Sequence, residues 1–370
     1  MKSLTLQSKT KWMPKSFRKT LLLLAALSAC LTARAGRPDT LRIVFIGDVM
    51  SHGPQVSAAL RSGGNRNNPA DFDYSSYFRH VKDRFDAADF VVANMEFPLG
   101  VTPYSGYPQF SAPQSIAYEA VRSGIDLLLT ANNHICDKGR AGMDSTYAVY
   151  SRLGVPFTGF YRSAGEEYEN NPMLIDIGGF RVAFINFTYG TNGLPVPSPY
   201  RVNLLDETHV KEVVGRARSR GADLIVALPH WGVEYQLDCN AGQQRWVDLL
   251  YQEGVDAVVG AHPHVVQKTV FEPPHATAYS LGNFISNQSD PYTQIGMLYE
   301  MVVVRDAEGR IAIADAFPTY LWCSRHGMLE QNYTVIPILD WIGRRDAWLV
   351  PSDYDKMVRE WEALQKKFNL

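Results

Sequence analysis

"VVGAHPHVVQ", residues 258–267, sets two histidines either side of a proline at the end of an apolar run. A buried strand that ends by presenting two imidazoles either caps the helix that follows or forms half of a site. The rest of the chain decides between these. After residue 36 the same pattern recurs, an apolar run of strand length closing in polar residues before an amphipathic stretch. "RIVFIGDV", "FVVANMEF", "IDLLLTANNH", "RVAFINF", "ADLIVALPHWG", "VDAVVGAHPH" and "ATAYSLGNF" are its clearest instances. Continuous rather than alternating apolar runs imply strands buried on both faces, as in a sheet covered by helices.

Three runs share a finer signature: Gly124-Ile125-Asp126, Gly221-Ala222-Asp223 and Gly254-Val255-Asp256. Each reads as a helix ending on a glycine able to take the left-handed cap, with a strand after two more residues. The preceding helices are predicted over 114–123, 206–219 and 242–253. "MLYEMVVVRD" and "RIAIADAFPTY" around "DAEGR" predict a β-hairpin, and residues 352–370 a terminal helix. The expectation is an α/β protein with a largely parallel core, one domain over 36–345 and a C-terminal helical extension over 346–370.

The first 35 residues read differently. A basic leader (Lys2, Lys9, Lys11, Lys15, Arg18, Lys19) precedes "LLLLAALSACLTARA", an apolar run too short to span a bilayer and suited to an export signal. Ala33-Arg34-Ala35 offers a cleavage site. "LSAC", residues 27–30, equally fits a lipoprotein signal with Cys30 taking the lipid, which would anchor the protein to a membrane. Both readings place the processed protein outside the cytoplasm, in the periplasm, cell envelope or medium. The segment holds seven of the 36 Lys and Arg residues and no acid, so the remainder carries 29 basic against 38 acidic residues. An excess of negative charge argues against nucleic acid as a partner. A Cys239–Cys323 disulfide is open to an exported chain, Cys136 reads as a small buried thiol, and no CxxC zinc pattern occurs.

The residues able to hold metal collect at the ends of the apolar runs. Asp48 follows "RIVFIG", Asn94 and Glu96 follow "FVVA", Asn133 and His134 follow "LLLTA", His230 follows "IVALP", His262 and His264 follow "AVVGA", and Asn283 follows "AYSLG". In parallel strands all of these lie at carboxyl ends, where open α/β sheets build their sites. Four of the nine histidines fall in this set. Imidazoles, carboxylates and an amide without thiolates suit one or two ions of Zn, Mn or Fe character. A histidine not bound to metal could protonate a leaving group. The bland alternatives are a strand-end turn at Asp48, a solvent-facing acid at Glu96, and helix capping by Asn133, His134 and Asp137. Trp231, Glu234 and Tyr235 are candidates to line a cleft, and Gln267 and Asn283 to contact substrate.

"GDVM", "NMEFP", "NNHICDKG", "HWGVEY", "GAHPHVVQ" and "SLGNF", in that order over roughly residues 41–320, resemble the CapA or PGA-cap family of poly-γ-glutamate capsule synthesis. That family in turn is similar to calcineurin-like metallophosphoesterases. The resemblance implies a layered α/β/β/α sandwich. It assigns Asp48 and His264 to a first metal, Glu96 to the bridge, Asn133, His230 and His262 to a second metal, and His134 to the general acid; Asp137, placed to cap the next helix, could also hold that imidazole in one tautomer. Two departures stand out. The superfamily's D-x-H motif has Met50 in place of its histidine, leaving His52 as the nearest substitute, and "NMEFP" replaces Gly-Asp, so the bridge rests on Glu96 with Asn94 beside it. The resemblance implies a role in making, exporting or anchoring poly-γ-glutamate or a related anionic envelope polymer, alongside other envelope proteins. The residues imply hydrolysis of a phosphoester or an amide. A metallophosphoesterase of unrelated substrate and a non-catalytic polymer-binding accessory protein remain as alternatives.

Overall fold

The computed structural model describes residues 39–370. The export or lipoprotein segment, Cys30 included, lies outside them. Two six-to-eight-stranded sheets carry the architecture. The first runs Thr334–Pro337, Ile311–Ser324, Ile295–Arg305, Thr40–Val49, Phe90–Met95, Leu127–Leu129, Phe157–Thr158, with Asn283–Ile285 paired to the end of Thr40–Val49. The second runs Thr269–Glu272, His275–Ala278, Ala257–Val259, Leu224–His230, Phe180–Thr188, Met173–Ile177. The first sheet is antiparallel on one side and parallel from Thr40–Val49 out to its Phe157–Thr158 edge, and the second has a parallel centre between two antiparallel flanks. The parallel core and the hairpin expected from the sequence are both present, the hairpin as Ile295–Arg305 against Ile311–Ser324.

Because successive side chains of a strand point to opposite faces, the apolar runs split into two sets. Leu41, Ile43, Phe45, Phe90, Val92, Leu127 and Leu129 of the first sheet meet Phe180, Val182, Phe184, Leu224, Val226, Leu228, Ala257 and Val259 of the second in one buried layer. Phe90 and Phe184 stack across it with ring centroids 5.4 Å apart. The intervening residues face outward under helices. Val44, Ile46, Val91, Ala93 and Leu128 meet Ile116, Ala117 and Ala120 of helix Ser115–Arg122 and Val149 and Tyr150 of helix Gly139–Leu153. Ala183, Ile185, Phe187, Ile225, Ala227 and Val258 meet Val210, Val213, Val214 and Ala217 of helix Glu207–Ser219 and Val247 and Leu250 of helix Ala241–Gln252. The 210, 213, 214, 217 spacing is one face of an α-helix. The result is the expected α/β/β/α sandwich.

The Gly-x-Asp signature has a second function that the sequence did not disclose. Gly124, Gly221 and Gly254 take the expected positive φ values of 108°, 75° and 86°. Two residues on, each aspartate donates its backbone N–H to a carbonyl of the neighbouring parallel strand and accepts that same residue's N–H on its carboxylate. Asp126 does so with Val91, Asp223 with Arg181 and Asp256 with Ile225. Asp89, without a glycine, makes the same pair with Arg42. These four parallel strands are thus pinned at the residue before each begins, fixing where its carboxyl end falls.

"ATAYSLGNF" is not one strand. His275–Ala278 belongs to the second sheet and Asn283–Ile285 to the first, so Asn283 opens a strand rather than following one. The crossing turns at Gly282, whose φ is +66° and whose carbonyl accepts the Asp48 N–H at 3.0 Å. Helix Pro351–Phe368 buries Met357, Trp361 and Leu364 in the same layer as the two inner faces, with Trp361 against Tyr320. Cys136, Cys239 and Cys323 are free thiols, so the Cys239–Cys323 disulfide does not form; Cys323 is buried in contact with Ser286. Among the described residues no helix is long and apolar enough to cross a membrane.

Candidate metal centre

The pinned parallel strands of both sheets end on one rim. Asp48, Glu96 and Asn133 arrive from the first sheet, His230, His262 and His264 from the second, and all six are buried. Asp48, Glu96 and His264 hold donor atoms within 4.8 Å of one another, and so do Glu96, His230 and His262. Glu96 belongs to both triads. Its Oε1 lies 3.6 Å from His230 Nε2 and 3.8 Å from His264 Nε2.

Whether these residues fit metal is tested by what they lack. Glu96 is 0 % exposed, yet neither carboxylate oxygen has a hydrogen-bond partner, and buried His262 Nδ1 has none either. A buried ionisable group without partners is costly unless something of opposite charge completes it. The remaining donors are oriented. Asn94 Nδ2 donates to Asp48 Oδ1 at 2.7 Å, Asn133 Oδ1 lies 2.7 Å from His230 Nε2, and His264 Nδ1 lies 3.1 Å from both Asp48 Oδ2 and Asn283 Oδ1. The donor set fits one or two divalent ions.

The backbone is strained to present these side chains. His262 and His264, flanking Pro263, have φ values of 98° and 58°, a conformation that non-glycine residues hold only when their surroundings impose it. The His262 N–H donates to Asp48 Oδ2 at 3.3 Å. A side chain on Gly260 would collide with the Tyr279 carbonyl and the Trp231 indole, so the turn leading into the pair needs glycine.

Charge in the site is divided. Burial drives the Asp48 carboxyl upward, but the hydrogen bond and charge of His264, the charge of His230 and the Asn94 contact outweigh it and hold Asp48 below the usual carboxylate range. For His264, burial favours the neutral ring, yet Glu96, Asp48 and Glu234 together raise it to about 9. His262 is pushed well below the ordinary histidine value, by burial first and then by His230, His264 and His134. A neutral His262 is ready to ligate, whereas ligation at His264 must displace a proton.

His134 stands beside this cluster. Its Nδ1 lies 2.7 Å from Asp137 Oδ2, and its ring meets Phe110 edge-on at 4.6 Å. His52 does not enter either triad: its Nδ1 faces Gln55 Oε1 at 3.0 Å and accepts the Asn287 N–H at 3.3 Å. His52, Tyr107, His134, Glu234, Tyr235 and His264 line a cleft of about 270 Å³.

Three of the five residues taken to line a cleft or contact substrate turn inward. Trp231 is buried under a helix and donates Nε1 to the Tyr279 carbonyl. Gln267 is enclosed, accepting from Gln243 and donating to the Gln236 carbonyl. Asn283 spends its amide on the carbonyls of His264 and Thr293 and on Gln288. Their polar atoms are engaged by protein groups. Glu234 and Tyr235 face the cleft. The sequence reading missed Asn132, which donates to the Met95 carbonyl and accepts the His134 N–H, and Tyr189, whose ring lies 4.6 Å from that of His262. The doubled asparagine of "NNH" was the only trace of Asn132.

Two solved structures align with the chain at low identity. NAD nucleotidase of Haemophilus influenzae aligns with a TM-score of 0.47 at 11 % identity, over 77 % of this chain and 52 % of that one. A calcineurin-like phosphoesterase from Bacillus subtilis aligns at 0.46 and 14 %, over 76 % and 90 %. By sequence, the chain is 27 % identical over 263 residues to "Capsule biosynthesis protein CapA" of Bacillus anthracis, covering 68 % of this chain and 61 % of that protein's length. It is 27 % identical over 288 residues to "PGA biosynthesis protein CapA" of Bacillus subtilis (strain 168), covering 74 % and 71 %. Residues 42–288, more than half of the chain, match the family described as "Bacterial capsule synthesis protein PGA_cap", and the chain belongs to that family.

Proposed function

We propose that this chain is an exported metal-dependent hydrolase, acting on a phosphoester or an amide in the making, export or anchoring of poly-γ-glutamate or a related anionic envelope polymer. One observation carries the hydrolase reading: Glu96, fully buried and without a hydrogen-bond donor, is shared by two donor triads. Asp48 and His264 would hold one ion, Asn133, His230 and His262 the other, with Glu96 between them. When bound, two divalent cations neutralise charge on substrate oxygens and acidify a coordinated water. Asn94 fixes Asp48 and Asn283 fixes His264, so the donors need little rearrangement. His134, oriented by Asp137, faces the cleft and would deliver the leaving-group proton. Phe110, packed edge-on between the rings of His52 and His134, keeps water from the imidazole flank.

Elemental analysis of dialysed protein, with His262→Ala beside it, tests this reading. About two equivalents of Mn, Zn or Fe, lost in the variant, would support it and direct a phosphoester and amide screen. No metal, even after reconstitution, would leave the accessory, polymer-binding reading in its place. The polymer assignment draws on the two CapA relatives by name. Export draws on residues 1–35, and fractionation of a Cys30→Ala variant separates lipid anchoring, which it abolishes, from simple cleavage.

A further inference from the structure

The two sides of the centre are unequally furnished. Glu96, Asn133, His230 and His262 surround one side, whereas only Asp48, Glu96 and His264 surround the other. Met50, next along from the Asp48 strand, has no donor suited to a hard ion, and His52 is turned to Gln55 and Asn287. A third carboxylate borders that side without grouping with Asp48 or Glu96. Glu234 presents an oxygen within 4.8 Å of donor nitrogens on both His262 and His264.

Glu234 is carried on a braced segment. The Tyr235 N–H donates to the Pro263 carbonyl at 2.8 Å, tying the residue after Glu234 to the proline between the two histidines. Tyr235 itself is held at φ 65°, and Gln267 Nε2 donates to the Gln236 carbonyl at 2.9 Å. Trp231 anchors the start of the segment through Tyr279. The segment and the histidine turn are therefore tied together, and its partly exposed carboxylate stands at the cleft side of the centre.

We infer that Glu234, partly exposed beside His264, is a further ligand that turns in to the Asp48–Glu96–His264 side when an ion binds, making it an oxygen-rich site distinct from the imidazole-rich site opposite. This rests on the dinuclear reading above. Three carboxylates with one imidazole suit Mn²⁺, whereas two imidazoles, an amide and the shared carboxylate suit Zn²⁺. Placed at the cleft, Glu234 is also the ligand that an incoming substrate oxygen meets first.

Calorimetric titration of Mn²⁺ and of Zn²⁺ into metal-stripped protein tests the assignment, using wild type, Glu234→Gln, Glu234→Ala and Glu96→Gln. The expected result is that both Glu234 variants keep one ion at wild-type affinity. They should bind the other, and Mn²⁺ above all, more weakly by more than the ~10–100-fold typical of losing an outer partner. The electron paramagnetic resonance spectrum of bound Mn²⁺ should change in the same variants. Wild-type affinities and an unchanged spectrum in both Glu234 variants would overturn the inference and leave Glu234 as a wall of the cleft. Absence of any binding by wild type would instead remove the hydrolase reading on which it stands. Glu96→Gln should weaken both ions, marking the shared bridge as different from the one-sided ligand.

Discussion

Asp137 Oδ2 lies 2.7 Å from His134 Nδ1 and accepts the Phe110 backbone N–H at the same distance. One buried oxygen therefore fixes both the imidazole and the aromatic ring set edge-on against it. Replacing His134 by Ala should lower turnover by roughly 10²–10⁴-fold on any hydrolysed substrate while leaving metal content unchanged. Asp137→Asn should lower kcat with KM nearly constant, because the ring loses its orientation rather than the substrate its contacts. Steady-state kinetics beside elemental analysis checks both, and full activity in His134→Ala would remove it as the proton donor.

His52 gives the native state an acid-side weakness. Burial first, then the nearby charges of His264, His134 and Arg325, lower its pKa to about 4, against a partial opposing effect of the Gln55 hydrogen bond. The unfolded chain takes up the proton near the ordinary value of 6.5, so it binds more protons than the native state between about 6.5 and about 4. Stability should fall as pH drops through that interval. In Tm measurements against pH on metal-stripped protein, His52→Gln should show a shallower acid-side slope than wild type. Parallel slopes would contradict the assignment.

Gly47 sits where two backbones touch. A Cβ there would overlap the Gly282 carbonyl oxygen, the same atom that receives the Asp48 N–H. Gly47→Ala should therefore destabilise by about 1–3 kcal/mol or more and displace Asp48, weakening metal binding in proportion. Thermal denaturation and metal titration on the same preparation would show whether the two losses travel together.

Phe184 stacks on Phe90 in the layer between the sheets. Phe184→Ala should cost about 3–5 kcal/mol by chemical denaturation, the range for deleting a buried aromatic ring.

Asp126→Ala leaves the buried Val91 N–H without its acceptor and should cost about 1–3 kcal/mol. Asp126→Asn, which retains an acceptor oxygen, should recover part of that loss. Equal destabilisation by the two would mean that the carboxylate, not the hydrogen bond, is what the strand requires.

Much of this was legible because burial on both faces leaves a continuous apolar run, and because a glycine must mark a left-handed helix end. Those two signals located the strand ends and, with them, Asp48, Glu96, Asn133, His230, His262 and His264. The failures share a physical origin. A polar residue beside a site can face ligand or protein, and nothing local distinguishes the two: Trp231, Gln267 and Asn283 chose protein because distant carbonyls and amides meet them. Phe110 reaches His134 from a segment without periodicity, so its partnership was invisible. The switch of sheet within "ATAYSLGNF" depended on Gly282, whose positive φ does not announce itself among neighbouring apolar residues.

The six donors divide three and three between the sheets, and five of them follow strands that begin beside an aspartate pinned to the neighbouring strand. An ion held there would be a rivet through two plates. Sliding one sheet over the other by a fraction of an ångström changes the distances between the two halves of the donor set at once. Packing in the buried layer therefore sets the gauge of the cage. A chelator should do more than silence the centre: it should loosen the seam, and amide exchange in the inner strands should quicken when the metal leaves.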